Sequence, residues 1–404
     1  MKNAVGQPEL LKELNRERIL RILQHERVIS RPVIAQQTGL SRATVAMVTE
    51  ELLAQNLVRE VGLGNSTGGR PPVMLEFNPD AAYALGARLY DRNWGIVITN
   101  LDGQVKRRLD VPVQDMSPEA AVSALTEGVR ALLSDFAAHR ILPAIGLGTP
   151  GLVDSESGKI ITAVDVGWRD VPMKAMVEEA LQLPAFVANR SKVGALAELW
   201  YGAGRGLQHL IYISIGTGIA AGIILDGELF TGANSSAGEL GHVTILPDGP
   251  LCPCGNRGCL QQLASGPAIA AQARERLRLR PESQLNELAG QHPEWITAST
   301  VFQAAEAGDT LAVEIVQETA GYLGIAVASL INLFNPQLIV LGGPVGRAGG
   351  ILLEPLTREV QRRAMAHPLS TVRITVSTLG PDAGAIGAAA LVLQRASTLL
   401  FNGG

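Results

Sequence analysis

Apolar residues recur at helical spacing near the start of the chain, where Ile19, Leu20, Ile22 and Leu23 mark one face of a helix. Two shorter helices should follow, set by punctuation more than by periodicity. Ser30 stands where a cap belongs, with Pro32 in the first turn, where backbone N–H groups lack partners anyway. Gly39 ends that helix, and Ser41 caps a third that runs through Leu53. Ala35 precedes Gly39 by four residues and Val45 follows it by six, the spacing of a helix-turn-helix: a small residue where helices touch, a turn glycine, an apolar plug beyond. Val58–Val61 and Val73–Phe77 then read as two short strands joined by a Gly-rich tip, a wing.

From about Ala81 the pattern becomes alternating strands and helices with glycine-rich turns, which indicates α/β architecture. "YALGARLYDRNWGIVITNLDGQVKRR" reads as the opening hairpin and "AIGLGTPGLVD" (144–154) as a buried strand ending in a Gly-Pro turn. "LIVLGGPVG" (338–346) is a strand and Gly-Gly turn, and "DAGAIGAAALVL" (382–393) an Ala-rich packing helix. The apolar stretch 209–227 is broken by Gly216, Thr217, Gly218 and Gly222, so it predicts strand, turn and strand rather than a membrane span.

Charge adds a direction. The whole chain of 404 residues carries 34 Lys+Arg and 38 Asp+Glu, a net of −4. Residues 1–72 hold ten basic and seven acidic residues, a net of +3, which leaves −7 for the remainder. A slightly basic end on an acidic body suits a polyanion-binding module. With 47% hydrophobic residues and no charged-then-apolar leader pattern, the expectation is a cytoplasmic regulator or enzyme of two or three domains. In the helix-turn-helix, Ser41, Arg42, Ala43 and Thr44 are the candidate DNA-binding residues. Arg42 and Thr44 would face base edges, and Ala43 a thymine methyl. Gly69 and Arg70, within "GGRPP" (68–72), resemble the core of AT-hook peptides, in which an extended arginine enters a narrow A·T-rich minor groove. The alternative is a helical hairpin for protein contacts with a plain flexible loop.

All three cysteines, Cys252, Cys254 and Cys259, fall within eight residues, with His242 ten residues upstream of the first. Cys252 and Cys254 are too close for a comfortable disulfide, and an odd count leaves one thiol over. Three thiolates and one imidazole are a common closed set for structural Zn²⁺. Gly255 and Gly258 would let the backbone fold around so small an ion. The bland reading is three inert thiols in a loop.

The motifs "GTPGLVD", "GWRDVPM" (167–173), "IGTGIAAGIILDGELFTGANSSAGELGH", the cysteine cluster, "INLFNPQLIVLGG" and "STLGPDAGAIGAA" occur in the order of the ROK family of repressors and sugar kinases, which the chain resembles from about residue 15 to 395. The resemblance implies a winged helix-turn-helix over 1–80 and a two-lobed, actin-like (ribonuclease H-like) sugar-kinase body over 81–404. The small lobe would span about 81–193, with the C-terminal helix returning to it, and the large, zinc-containing lobe about 194–385. It implies the same Zn²⁺ ligands, His242, Cys252, Cys254 and Cys259. It also implies sugar contacts from Asn189, Glu239, His242 and Gln261, with Gly151 and Asp165 lining the cleft.

The same resemblance argues against phosphoryl transfer. Active members carry Asp-x-Gly-Gly-Thr at the first strand turn; this chain has "ARLYDR", with Arg88 in the aspartate's place and Tyr90 and Asp91 instead of glycines. Arg190 stands where the family has its catalytic aspartate, and a guanidinium is no base at neutral pH. Gln261 replaces an expected glutamate. Either the effector is anionic and pairs with Arg190, or Arg190 bonds Glu239 and closes the pocket, or the sugar is neutral. The function implied is a sugar-responsive repressor, not an enzyme, acting as a homodimer or homotetramer on a pseudo-palindromic, A·T-rich operator. The competing readings are a sugar kinase with a DNA-binding arm and a regulator that answers to a protein partner.

Overall fold

The computed structural model describes residues 7–65 and 71–394. Helices Gln7–Glu26, Arg31–Thr38 and Arg42–Ala54 form the predicted triplet. Gly39 ends the second with a left-handed φ of 68°, its N–H closing on the Ala35 carbonyl. Ser41 caps the third through its hydroxyl, which accepts from the Thr44 N–H. Ser30 departs from expectation: it occupies the cap position, but its hydroxyl caps nothing. It closes a short strand, Val28–Ser30, which pairs antiparallel with Val73–Phe77. Sheet pairing has taken the residue over, and Pro32 is left to mark the helix start. Val73–Phe77 also pairs with Val58–Leu63, so the wing is three-stranded.

The body repeats one plan. Its first sheet orders the strands Ala185–Asn189, Ile141–Thr149, Tyr83–Tyr90, Asn93–Asn100 and Val105–Pro112. The first three are parallel and the last two complete an antiparallel meander. The second sheet orders Glu228–Leu229, Ile219–Leu225, Leu210–Ile215, Leu338–Gly342 and Arg373–Val376, with the same division. Helix Thr310–Phe334 fills the second lobe's core with Leu311, Ile315, Leu323, Val327 and Ile331. It is long and apolar enough to cross a membrane by composition alone, yet 61% of its apolar window is buried within the protein.

Helices Arg190–Tyr201 and Ala383–Leu393 lie between the sheets. They approach so closely that glycine is required. Gly86 and Gly146 are register partners on adjacent strands, and a Cβ on either would run into the backbone of the closing helix, at the Ala385 and Ala388 carbonyls. A Cβ on Gly387 would meet the Val193 carbonyl, and one on Gly222 the Ser191 carbonyl. The Ala/Gly composition of the closing helix follows from this: larger side chains would hold the layers apart.

The winged helix does not stand clear of the body. Ile19, Leu20, Leu23, Leu57 and Leu75 share one core with Ala82, Ala84, Leu101, Leu142, Ala144, Ala389, Val392 and Leu393. Beside it, Arg27 Nη2 donates to both oxygens of Asp102 at 2.6 Å. Arg205, just past helix Arg190–Tyr201, reaches Asp102 Oδ1 at 3.4 Å and the Gln24 carbonyl at 3.1 Å. One carboxylate, only 12% exposed, thus ties the first helix, the first sheet and the helix between the lobes.

The glycine contact gives a direct test. Gly146→Ala is expected to destabilise the chain by about 3 kcal/mol or more, because backbone must move on both sides of the methyl. The midpoint of urea unfolding would show it, with Gly167→Ala, where nothing lies within 4 Å but φ is left-handed, costing about 1 kcal/mol.

Candidate functional site

The candidate DNA-reading surface is the first turn of helix Arg42–Ala54. Val45, Val48 and Leu52 bury its inner face completely, which turns Ser41, Arg42 and Ala43 outward. Thr44 is half-buried and its hydroxyl sits 2.9 Å from Ser41 Oγ, so part of its hydrogen-bonding capacity serves the cap. Arg31 fastens the assembly, with Nε on Thr49 Oγ1 at 3.0 Å and Nη2 on the wing's Glu60 at 3.2 Å. Lys12 and Arg16 both pair with Glu51, removing one negative charge from the domain's field. Met47, one turn beyond Ala43 on the same outward face and 46% exposed, escaped the sequence reading. The spacing 43, 47, 50 was its signal, and an apolar tip there can touch a thymine methyl. Gly69 and Arg70 lie outside the described residues.

Between the lobes lies a cleft of about 520 Å³, lined on one side by Asp91, Pro150, Asp165 and Arg190 and reached from the other by Thr217 of the Gly-Thr-Gly turn. Arg190 donates to Asp165 Oδ2 at 3.0 Å. The expected alternative partner, Glu239, is therefore replaced by Asp165. Arg190 opens its helix, and helical side chains lean toward the N-terminus, which points it at the turn Val164–Val166. Asn189 caps the same helix: its Oδ1 accepts from the Ser191 N–H at 2.8 Å and hydroxyl at 2.7 Å, and its Nδ2 donates to the Gly151 carbonyl at 2.6 Å. Gly151, Asp165, Asn189 and Arg190 are thus assembled into one wall.

Arg88 lies behind that wall, over the Tyr90 ring at 4.9 Å, with Arg190 over the same ring at 5.4 Å. Burial, and then the nearby Arg190 charge, hold the Arg88 pKa below the ordinary arginine value. Asp91 and Arg92 follow as a two-residue hairpin turn with φ of 45° and 59°. That is glycine's natural ground, and the strained side chains occupy it instead.

Glu239, His242 and Gln261 gather around the cysteine loop. His242 Nδ1 lies 3.7 Å from Cys252 Sγ, Cys254 Sγ lies 3.7 Å from Cys259 Sγ, and all four ligand atoms fall within 4.8 Å of one another. A tetrahedron with metal–sulfur bonds of about 2.3 Å has edges of about 3.8 Å, so the donor set fits a zinc-sized ion. Gly255 and Gly258 take left-handed φ of 92° and 63°, and a Cβ on Gly258 would strike the Leu246 carbonyl. Gln261 turns its amide nitrogen to Cys252 Sγ at 3.5 Å, while its oxygen lies against Gly218 of the Gly-Thr-Gly turn. It braces the loop against the cleft. Glu239 precedes the short turn Leu240–His242. Although solvent reaches its side chain, surrounding protein raises its pKa, opposed by His242 and Lys192. Lys192 was not legible as a site residue. Only 3% exposed, it donates to the Ser235 carbonyl, and burial lowers its pKa against the pull of Glu239.

With this geometry in hand, relatives can be placed. The ROK family model matches residues 92–395, and a winged helix-turn-helix DNA-binding model matches residues 13–59. The xylose repressor of Caldicellulosiruptor bescii is 32% identical over 96% of this chain and 98% of its own. Among solved structures, a ROK family transcriptional regulator described as a homologue of the Escherichia coli Mlc protein superposes with a TM-score of 0.83 at 30% identity, covering 97% of this chain and 98% of that one. A ROK family glucokinase from Streptomyces griseus, in complex with glucose and AMPPNP, superposes with a TM-score of 0.71 at 30% identity, covering 77% of this chain and 99% of that one. Head, two-lobed body and relatives agree over nearly the whole length: the chain belongs to the ROK family, with a winged helix-turn-helix joined to a sugar-kinase-like body.

Proposed function

We propose that this chain is a sugar-responsive transcriptional repressor of carbohydrate genes that has no kinase activity. The observation that carries the reading is the pairing of an outward-facing recognition turn, Ser41–Ala43, with a cleft lined by Arg190, which stands at the position of the family's catalytic aspartate, and backed by Arg88. A relative named as a xylose repressor and a solved structure described as a transcriptional regulator support the regulatory half of this reading. A homodimer, or a tetramer built from such dimers, would set two recognition helices in successive major grooves of a pseudo-palindromic operator, with Arg70 favouring A·T-rich flanks.

His242, Cys252, Cys254 and Cys259 would hold a Zn²⁺ ion, which supplies a structural cross-link with no open coordination position. The residues around it then do the recognising. With His242 fixed through Nδ1, its other ring nitrogen is free for a sugar hydroxyl, and Glu239 is held beside it as an acceptor. Asn189, Gly151 and Asp165 face them across the cleft. Sugar bound there favours one lobe placement, and the shared core with the winged helix carries that preference to the two recognition helices. Operator affinity changes only as far as the sugar discriminates between the two geometries.

The decisive experiment is operator binding by fluorescence anisotropy, titrated with pentoses, hexoses and N-acetylhexosamines, beside an ATP-turnover assay. Release of DNA by one sugar without turnover is expected. Sugar-dependent ATP hydrolysis would favour a kinase with a DNA-binding arm, and indifference to every sugar a protein-controlled regulator.

Three variants or treatments probe the parts. Arg42→Ala is expected to cost about 1–3 kcal/mol of operator affinity and to relax preference at one base position. Elemental analysis should find one zinc per chain, and its removal by a chelator should lower the melting temperature by several degrees and weaken sugar binding. Asp102→Ala should leave sugar affinity intact but shrink the change in DNA affinity that sugar produces. An unchanged response in that variant would remove Asp102 from the coupling route.

A further inference from the structure

A second cavity, of about 280 Å³, lies where the winged helix meets both lobes. Gln24 reaches it from the first helix and Leu101 from the turn after strand Asn93–Asn100. Leu199 and Trp200 come from the last turn of the helix between the lobes, and Leu207 and Gln208 from the segment ahead of strand Leu210–Ile215. No residue lines both this cavity and the interlobe cleft.

The wall combines apolar side chains with unbonded amides. Leu101 and Leu199 are 3% and 9% exposed, and the Trp200 and Tyr201 rings stand at 74° to each other with centroids 6.1 Å apart. A Cβ on Gly103 would lie 2.5 Å from the Tyr201 ring, so main chain backs that ring closely. Gln24 and Gln208 bond the chain through their backbones. The Gln24 carbonyl accepts from Arg205 at 3.1 Å, and the Gln208 N–H donates to Gln337 Oε1 at 2.9 Å. Among the described residues, neither side-chain amide has a partner. The Tyr201 hydroxyl, sealed from solvent, has none either, so the wall holds a hydrogen bond that this chain does not complete by itself.

The charged groups at the wall are answered from elsewhere. Asp102 accepts from Arg27 at 2.6 Å and from Arg205 at 3.4 Å. Asp226 is 93% exposed and is served by solvent, and His25 lies 3.5 Å from its neighbour Glu26. With no charge in want of a partner, the cavity suits a neutral occupant. A sugar would bring hydroxyls round its whole rim and leave some unpaired against Leu101, Leu199 and Leu207. An aromatic ring confines its polarity to one edge, and an amide edge offers the donor and acceptor that two glutamine amides match. The volume falls just below the range of about 300–1,000 Å³ that holds drug-sized molecules, which fits a single ring.

We propose that this cavity binds a neutral aromatic ring with an amide edge, of the nicotinamide or pyrimidine-base kind, and that the occupant fixes the winged helix on the body. The coupling follows from the walls: Gln24 belongs to the head, Leu101 to the first lobe and Gln208 to the second, so one ring touches all three. The site lies apart from the sugar cleft and does not depend on it.

The test follows the full chain, with zinc supplied, by calorimetry and thermal melting. The probes are nicotinamide and uracil, beside phenol, which has the ring without the amide edge, and acetamide, which has the edge without the ring. Nicotinamide or uracil should raise the melting temperature and bind at least tenfold more tightly than phenol or acetamide. Gln24→Ala and Gln208→Ala remove side chains that bond nothing within the chain. Both should melt like the parent without ligand and lose at least fivefold in affinity for the bound probe. That probe should change operator affinity at least threefold in the parent, and not in Gln208→Ala at the same concentration. Binding of neither probe, phenol binding as tightly as both, or undiminished affinity in both variants overturns the site. Binding that leaves operator affinity unchanged overturns its hold on the winged helix. Operator binding indifferent to every sugar, with probe binding intact, would keep this site and remove the sugar-responsive reading alone.

Discussion

The structure depends on how closely two helices are laid between two sheets. Helix Ala383–Leu393 rests on Gly86 and Gly146 of the first sheet, and helix Arg190–Tyr201 rests on Gly222 of the second, with Gly387 letting the helices meet. Contacts of backbone on backbone leave no side-chain cushion to absorb a shift. Any movement between the lobes would therefore have to pivot about this seam, opening or closing the cleft at its edge. The winged helix packs on the far end of the same closing helix, through Ala389, Val392 and Leu393, so it lies on the path of any such motion.

Charge in the cleft follows a second logic. Two arginines, Arg88 and Arg190, meet over one tyrosine ring, and each is accommodated by a different means. Asp165 neutralises Arg190, and the Tyr90 ring lies against Arg88. On the opposite wall the cysteine loop works by rigidity. Gln261 joins Cys252 to the Gly-Thr-Gly turn, so an ion held by the cysteine loop would set the position of His242 without touching a substrate.

Sequence revealed those features whose chemistry is local. Gly39 and Ser41 announce themselves because a left-handed turn and a helix cap each restrict residue type at one position. The candidate metal ligands stand out because three of the four lie within eight residues of chain, and Arg88 and Arg190 because they interrupt motifs otherwise kept. Features formed by partners far apart in the chain were hidden. Ser30 looked like a cap because nothing local tells of the strand Val73–Phe77 that claims it. Arg190 was expected to reach Glu239, and the direction of its helix turns it to Asp165 instead. The pairing of Arg27 with Asp102, 75 residues away, and the burial of Lys192 under Ser235 leave no mark on either neighbourhood. Which layer presses on Gly146 was equally unreadable, although the Ala-rich closing helix was plain.

The shared core of head and body bears on how such proteins can diversify. A reading head on a flexible tether could be exchanged freely between relatives, acquiring new operators while keeping the old sensor. Here Leu23, Leu57 and Leu75 interlock with Leu101, Leu142 and Val392. A head transplanted from another family member would bring mismatched knobs to this seat, leaving voids or collisions, unless the underside of the body changed with it. Operator choice and sensor are inherited as one piece, and new specificity is more readily reached by altering the few outward residues of the recognition helix than by shuffling whole modules.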